Sequence, residues 1–200
     1  MPRGVRQGRP YHRPMNRWNP DLLEQAWAFA ARRHKGQTYG GQAEGERVEY
    51  MTHIGSVVTE LGWALQGDAT ADGSLALQCA ALHDTIEDTG TTYAQLAATF
   101  GAAVADGVLA LSKDPAAGDK RAQLEDSLRR ILLQPREVWM VKLADRIANL
   151  YAPPFYWDNE KILGYQDEAG LILRTLGGAS EALAGRLAQK IEAYPGFLRA

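Results

Sequence analysis

From Asn19 onward the apolar residues of this chain recur every three or four positions and almost never every second one. A period of 3.6 residues puts such side chains on one face of a helix, whereas a half-buried strand needs a period of two. The pattern therefore confines the chain to a fold in which helices bury one another. In NPDLLEQAWAFAARRH, Asn19 is placed to cap and Pro20 to occupy the first turn, while Leu23, Trp27, Ala30, Ala31 and His34 fall on one stripe. HIGSVVTELGWAL and DGSLALQCAALHDTIED continue the pattern, the second read as one helix that carries its charges at its end. TTYAQLAATFG has capping-box spacing at Thr92 and Gln95, with Gly101 in position to end the helix. AAVADGVLALSK, KRAQLEDSLRRILLQ, PREVWMVKLADRIANL, NEKILGYQDEAGLILRTL and SEALAGRLAQKIEAY follow, separated by breaks that contain Gly or Pro. The expectation is an all-α fold of roughly eight to ten helices. KGQTYGGQAEGERVEYMT, with four glycines, reads as a loop.

Residues 1–18 break the pattern. They hold Arg3, Arg6, Arg9, Arg13 and Arg17, no acid and no apolar periodicity, and so read as a flexible basic arm ahead of one domain over 19–200. The whole chain carries −2; these five charges are all positive, which leaves −7 for the rest. An acidic body argues against a nucleic-acid-binding face. No apolar run is long enough to span a bilayer, and the single cysteine, Cys79, sits among apolar neighbours as a buried thiol would. A reducing, cytoplasmic setting is expected. Beyond small molecules, the partner such a body leaves room for is a second copy of itself, as a homo-oligomer.

The chemistry is concentrated in ALHDTIEDTG. His83, Asp84, Glu87 and Asp88 crowd one helix end, and like charges at that spacing repel unless a cation or a hydrogen-bond network compensates them. A bound metal is the simplest resolution, with an exposed acidic turn as the bland alternative. A second stretch, VKLADRIANL, sets Lys142, Asp145, Arg146 and Asn149 into an otherwise apolar helix. A carboxylate among small and branched apolar neighbours is usually paired or metal-bound, because desolvating it alone costs several kcal/mol. Arg146 is the candidate partner if Asp145 is only structural. Of four histidines, His53 opens a helix and supplies a further nitrogen. His53, His83, Asp84 and Asp145 together make a mixed nitrogen and oxygen donor set with room left for water and substrate.

In FAARRHKGQ, YMTHIGSV, ALHDTIEDT, FGAAVADGVLALSKD and VKLADRIANL, taken in this order, the chain resembles the HD-domain phosphohydrolases. Within them it is similar to the hydrolase domain of the RelA/SpoT group and to its small stand-alone relatives of the metazoan SpoT homologue type. The resemblance implies an HD-type helical bundle and a divalent metal, typically manganese, on His53, His83, Asp84 and Asp145. It implies Glu87 and Asp88 as the pair that assists the attacking water, and Asn149, Lys161 and Tyr165 on the nucleotide. The implied reaction removes pyrophosphate from the 3′ position of guanosine tetra- or pentaphosphate, the alarmones of the stringent response. His34 is implied as a neighbour of the site rather than a ligand. No synthetase is expected within this length.

The chain departs from that family in the loop after HKGQ, where Thr38 and Tyr39 stand in place of an arginine and Arg47 is the only arginine. Ile54 replaces a common proline, and Ala148 an aromatic or histidine. The metal set is intact while the base-recognition element is altered, which keeps two alternatives in play: a phosphohydrolase of another nucleotide, and a non-catalytic module that senses one.

Overall fold

A computed structural model describes residues 18–199; the arginine-rich arm and His12 lie outside them, save that Trp18 packs on the core. Among the described residues there are ten α-helical segments: α1 (Pro20–Arg33), α2 (Met51–Leu65), α3 (Gly73–Leu82), α4 (Thr85–Thr89), α5 (Tyr93–Phe100), α6 (Ala102–Leu111), α7 (Lys120–Leu132), α8 (Arg136–Asn149), α9 (Asn159–Leu176) and α10 (Glu181–Ala193). Caps are set as their sequences require. Asn19 accepts from the Asp21 amide, and Thr92 and Gln95 form a reciprocal capping box.

The centre of the bundle is α8. Residues 140–148 are buried without a break, so this helix is enclosed on all sides, and α2, α3, α9 and α10 pack around it. Its companion α3 is buried from Ala76 to Leu82. Cys79 lies at its middle, where burial pushes the thiol up to about 12 and leaves it unreactive. The two helices bring the HD stretch and the ADR stretch to the same end of the core.

Two sequence expectations change here. The loop between α1 and α2 contains a short antiparallel hairpin, β1 (Thr38–Gly40) and β2 (Arg47–Glu49), with Thr38 opposite Glu49. Three-residue strands are too short to display an alternating pattern. The segment from Gly73 to Thr89 is also not one helix. It stops at Leu82 because side chains take the last carbonyls: His83 Nδ1 bonds Ala80 O at 2.8 Å and Thr85 Oγ1 donates to Leu82 O at 2.7 Å. The chain then restarts as α4, which ends at Gly90 in the left-handed conformation, φ +67°. The break turns His83 toward Asp145 of α8 and sets Asp84 beside His53 of α2. No helix among the described residues is long and apolar enough to cross a membrane.

Candidate metal centre and its cleft

Four donor atoms meet where α2, the α3–α4 break and α8 converge. His53 lies in the first turn of α2, His83 and Asp84 lie in the break, and Asp145 lies in the buried part of α8. The two Nε2 atoms are 3.3 Å apart. Asp84 Oδ2 is 2.9 Å from His83 Nε2 and 3.5 Å from His53 Nε2, and Asp145 Oδ1 is 3.4 Å from His53 and 3.8 Å from His83. His53, His83 and Asp145 each offer a donor within 4.8 Å of the others, with Asp84 approaching both rings from a side of its own.

His83, Asp84 and Asp145 are each held from behind. Ala80 O fixes the His83 ring through Nδ1, which turns Nε2 inward. Tyr50 donates its hydroxyl to Asp84 Oδ2 at 2.6 Å. Asp145 receives Lys142 Nζ on Oδ2 at 2.8 Å and the Asn149 amide on Oδ1 at 2.5 Å. Asp145 is thus paired with Lys142 and not with Arg146, the partner expected from sequence, which pairs with Glu168 at 3.1 Å.

The electrostatics follow from this crowding. Burial opposes charge on His53, but its bonds to Asp145 and Asp84 outweigh that and raise it to about 10. His83 is likewise raised, with burial opposing and Asp84 prevailing. Desolvation of half-buried Asp84 and buried Asp145 works against ionisation, yet His83 holds the first well below the usual carboxylate range and Lys142 the second. Tyr50 is pushed up by burial first and by the Asp84 charge next, so it stays a neutral donor.

This arrangement fits a divalent cation. Two facing Nε2 atoms at 3.3 Å cannot both point a proton at the other, Asp145 completes a compact set of three, and Asp84 stands beside both rings. At metal–ligand bonds of about 2.1 Å, neighbouring donors stand about 3.0 Å apart around an octahedral ion and about 3.4 Å around a tetrahedral one. The observed separations of 2.9 to 3.8 Å bracket both.

A cleft of about 860 Å³ opens from this point. Glu87, Asp88, Asn149, Lys161 and Tyr165 all line it, as do Lys113 and Tyr39. Glu87 meets Lys113 Nζ at 2.9 Å, and Asp88 Oδ2 accepts from Gln37 Nε2 at 2.9 Å. Lys161 and Tyr165 both lean on Trp157, the ammonium 4.4 Å above its ring and the phenol edge-on at 5.1 Å. The Arg146 guanidinium lies over the Tyr165 ring, 4.0 Å from its centre. Sequence reasoning missed Tyr50, Gln37 and Lys113 as neighbours of the site. Gln37 and Tyr50 each sit three residues from a histidine, Gln37 from His34 and Tyr50 from His53, which is a usable signal; Lys113 has none in its surroundings. At the altered hairpin, Arg47 is bonded to Thr38 and is absent from the cleft wall, whereas Tyr39 and Glu46 are on it.

Comparisons with known proteins agree with this geometry. The HD domain family matches residues 26–154. The guanosine-3′,5′-bis(diphosphate) 3′-pyrophosphohydrolase MESH1 of Danio rerio is 30% identical over 182 residues, covering 88% of this chain and 95% of that protein. Its Homo sapiens counterpart is 31% identical over 169 residues, 81% of this chain and 88% of that one. The bifunctional (p)ppGpp synthase/hydrolase SpoT of Escherichia coli is 36% identical over 133 residues, 64% of this chain but 17% of that longer protein. The solved structure of a metazoan orthologue of SpoT, described as hydrolysing ppGpp, has the same fold at a TM-score of 0.74 and 22% identity, over 90% of this chain and 99% of that one.

Proposed function

The chain belongs to the HD-domain family, and on that footing we propose that it is a metal-dependent pyrophosphohydrolase that removes the 3′-pyrophosphate of guanosine tetra- or pentaphosphate. The observation that supports the reading is the cluster of His53, His83 and Asp145, with Asp84 beside both rings, next to a cleft that also presents Glu87 and Asp88.

His53, His83, Asp84 and Asp145 hold the ion in this reading. Two carboxylates beside two imidazoles suit an ion that keeps water among its ligands, and manganese is the choice. A divalent ion there supplies Lewis acidity toward a phosphoryl oxygen and lowers the pKa of water. The residues of the chain do the rest. Glu87 and Asp88 stand one turn past the ligands as the pair that manages the proton of the attacking water. Water oxygen bonds to the phosphorus on the 3′ oxygen, the bond from that phosphorus to the 3′ oxygen breaks, and the proton ends on the ribose hydroxyl. The products are pyrophosphate and, from the tetraphosphate, guanosine diphosphate or, from the pentaphosphate, guanosine triphosphate. Lys113 and Lys161 offset phosphate charge, while Asn149 and Tyr165 contact the nucleoside. The donor set is complete within one chain, so the reaction as proposed needs no partner subunit, and we place the protein in the cytoplasm with its nucleotide substrate.

A second reading, hydrolysis of another phosphorylated nucleotide, is favoured by the hairpin, where Arg47 is tied to Thr38 and the cleft wall presents Tyr39 and Glu46. Incubation with guanosine tetraphosphate and its adenosine counterpart, with and without manganese and beside an Asp84→Ala control, separates the two. Guanosine diphosphate formed only with metal and lost in the control is the expected result. An Asp84→Ala protein with full activity sinks the metal mechanism, and turnover of the adenosine compound alone selects the second reading.

A further inference from the structure

Glu87 and Asp88 are adjacent in sequence, but their surroundings are not equivalent. Both oxygens of Glu87 are engaged by one residue: Lys113 donates its backbone N–H to Oε2 at 2.8 Å and its ammonium to Oε1 at 2.9 Å. A water proton reaching Glu87 therefore meets two oxygens that each already hold a donor. Asp88 lines the cleft and accepts from Gln37 Nε2 on Oδ2 alone, with the Tyr50 hydroxyl close to its carboxylate.

The Gln37 amide is not free to turn. His34 Nδ1 lies 2.7 Å from Gln37 Oε1, which accepts from it and so directs the NH₂ end at Asp88. His34 is buried and its Nε2 has no partner, so the tautomer with its proton on Nδ1 is the one that leaves no buried N–H unsatisfied. The ring is fixed in turn: it stacks on Tyr50 at 4.9 Å, the same tyrosine that bonds Asp84. Backbone bonds tie Gln37 on both sides, from its N–H to His34 O at 2.9 Å and from Tyr50 N–H to its carbonyl at 3.0 Å. Gly36, at φ +78°, lets the chain fold back so that Gln37 meets His34. The spacing of HKGQ is thereby explained by geometry.

We propose that Asp88 rather than Glu87 accepts the proton of the attacking water, and that Gln37, its amide direction set by His34, is the positioning residue that aims Asp88. The proposal rests on the hydrolytic reading above. In the step, one water proton passes to the Asp88 carboxylate as the water oxygen bonds to phosphorus, and it is returned to the departing 3′ oxygen, so Asp88 is regenerated. Glu87 instead keeps Lys113 in place beside the phosphates.

The experiment is steady-state kinetics on guanosine tetraphosphate with manganese for wild type, Asp88→Asn, Glu87→Gln, Gln37→Leu and Gln37→Glu, with metal content and unfolding temperature measured on each. Removing a general base costs about 10²- to 10⁴-fold, so Asp88→Asn is expected to lose kcat on that scale. Glu87→Gln is expected to lose at least about tenfold less in kcat than Asp88→Asn and to show its larger effect in KM. Both Gln37 variants are expected to lower kcat by about ten- to a hundredfold with KM and metal content close to wild type, a split that loss of structure does not produce. Greater kcat loss in Glu87→Gln than in Asp88→Asn overturns the assignment, and an undiminished kcat in a folded, metal-replete Gln37→Leu protein overturns the positioning role. If wild type itself releases no pyrophosphate, it is the hydrolytic reading that fails, and the proposal falls with it.

Discussion

Replacing Tyr50 by phenylalanine removes one oxygen and tests how far the metal centre depends on what stands behind it. The hydroxyl donates to Asp84 Oδ2 at 2.6 Å, a short bond to an ionised acceptor. The ring itself is held independently, stacked on His34 at 4.9 Å and edge-on to Tyr39 at 6.3 Å, so phenylalanine keeps its place. Hydrogen bonds to charged groups contribute about 1.5–3 kcal/mol, and partners behind a metal ligand typically account for about 10- to 100-fold in affinity, which is the same range at about 1.4 kcal/mol per tenfold. Tyr50→Phe is therefore expected to weaken manganese binding by about 10- to 100-fold while leaving the fold intact. Competition against a chromophoric chelator near neutral pH measures it directly, with circular dichroism as the check on structure. Affinity within about twofold of wild type would refute the reasoning, because Asp84 would then be oriented without its donor.

Three further outcomes follow from the same structure. His53 is raised from 6.5 to about 10, so its contribution to the metal-free protein is fully present below about 6.5 and is lost as pH rises through about 10. Thermal unfolding across that window should show the metal-free protein losing stability while added manganese stabilises it more, with protons released on binding in weakly buffered solution. Gly107 on α6 faces α3 and α8 so closely that an added Cβ would meet Cys79 Sγ and Val138 Cγ2, each at 2.9 Å. Gly107→Ala gains about 1 kcal/mol of helix propensity but overpacks a site where such changes cost about 1–3 kcal/mol, so chemical denaturation should report a net loss of up to about 2 kcal/mol. The Tyr156 ring lies against Gly40 with its exposed side on the cleft wall. Tyr156→Ala should raise KM for the nucleotide several-fold with little change in kcat, as expected for a group that holds substrate and transition state equally.

Much of this molecule is legible in the chain because each helix must bury a stripe and end on a recognisable residue. Thr92, Gln95 and Gly101 announce α5, and the run of small and branched residues around Asp145 announces a buried helix with one costly carboxylate in it. That same cost singled out Asp145 as a candidate: a charge in an apolar setting has to have company, here Lys142. The hairpin and the break at Leu82 were not readable, since the first rests on three-residue strands and the second on His83 and Thr85 capturing carbonyls, a choice that helical spacing does not reveal. Nor were the groups that set Glu87 apart from Asp88. Lys113 is 26 residues from Glu87 and Gln37 is 51 from Asp88, and only the packing of α4 against its neighbours brings them together.

The most direct test of the account is the fate of labelled oxygen. Wild-type protein loaded with manganese is given guanosine tetraphosphate in ¹⁸O water, and the products are separated and weighed by mass spectrometry. Guanosine diphosphate without label and pyrophosphate carrying one ¹⁸O, with neither formed by metal-free protein, is the predicted result. Label in the nucleoside product, release of monophosphate, or equal turnover without metal would contradict it.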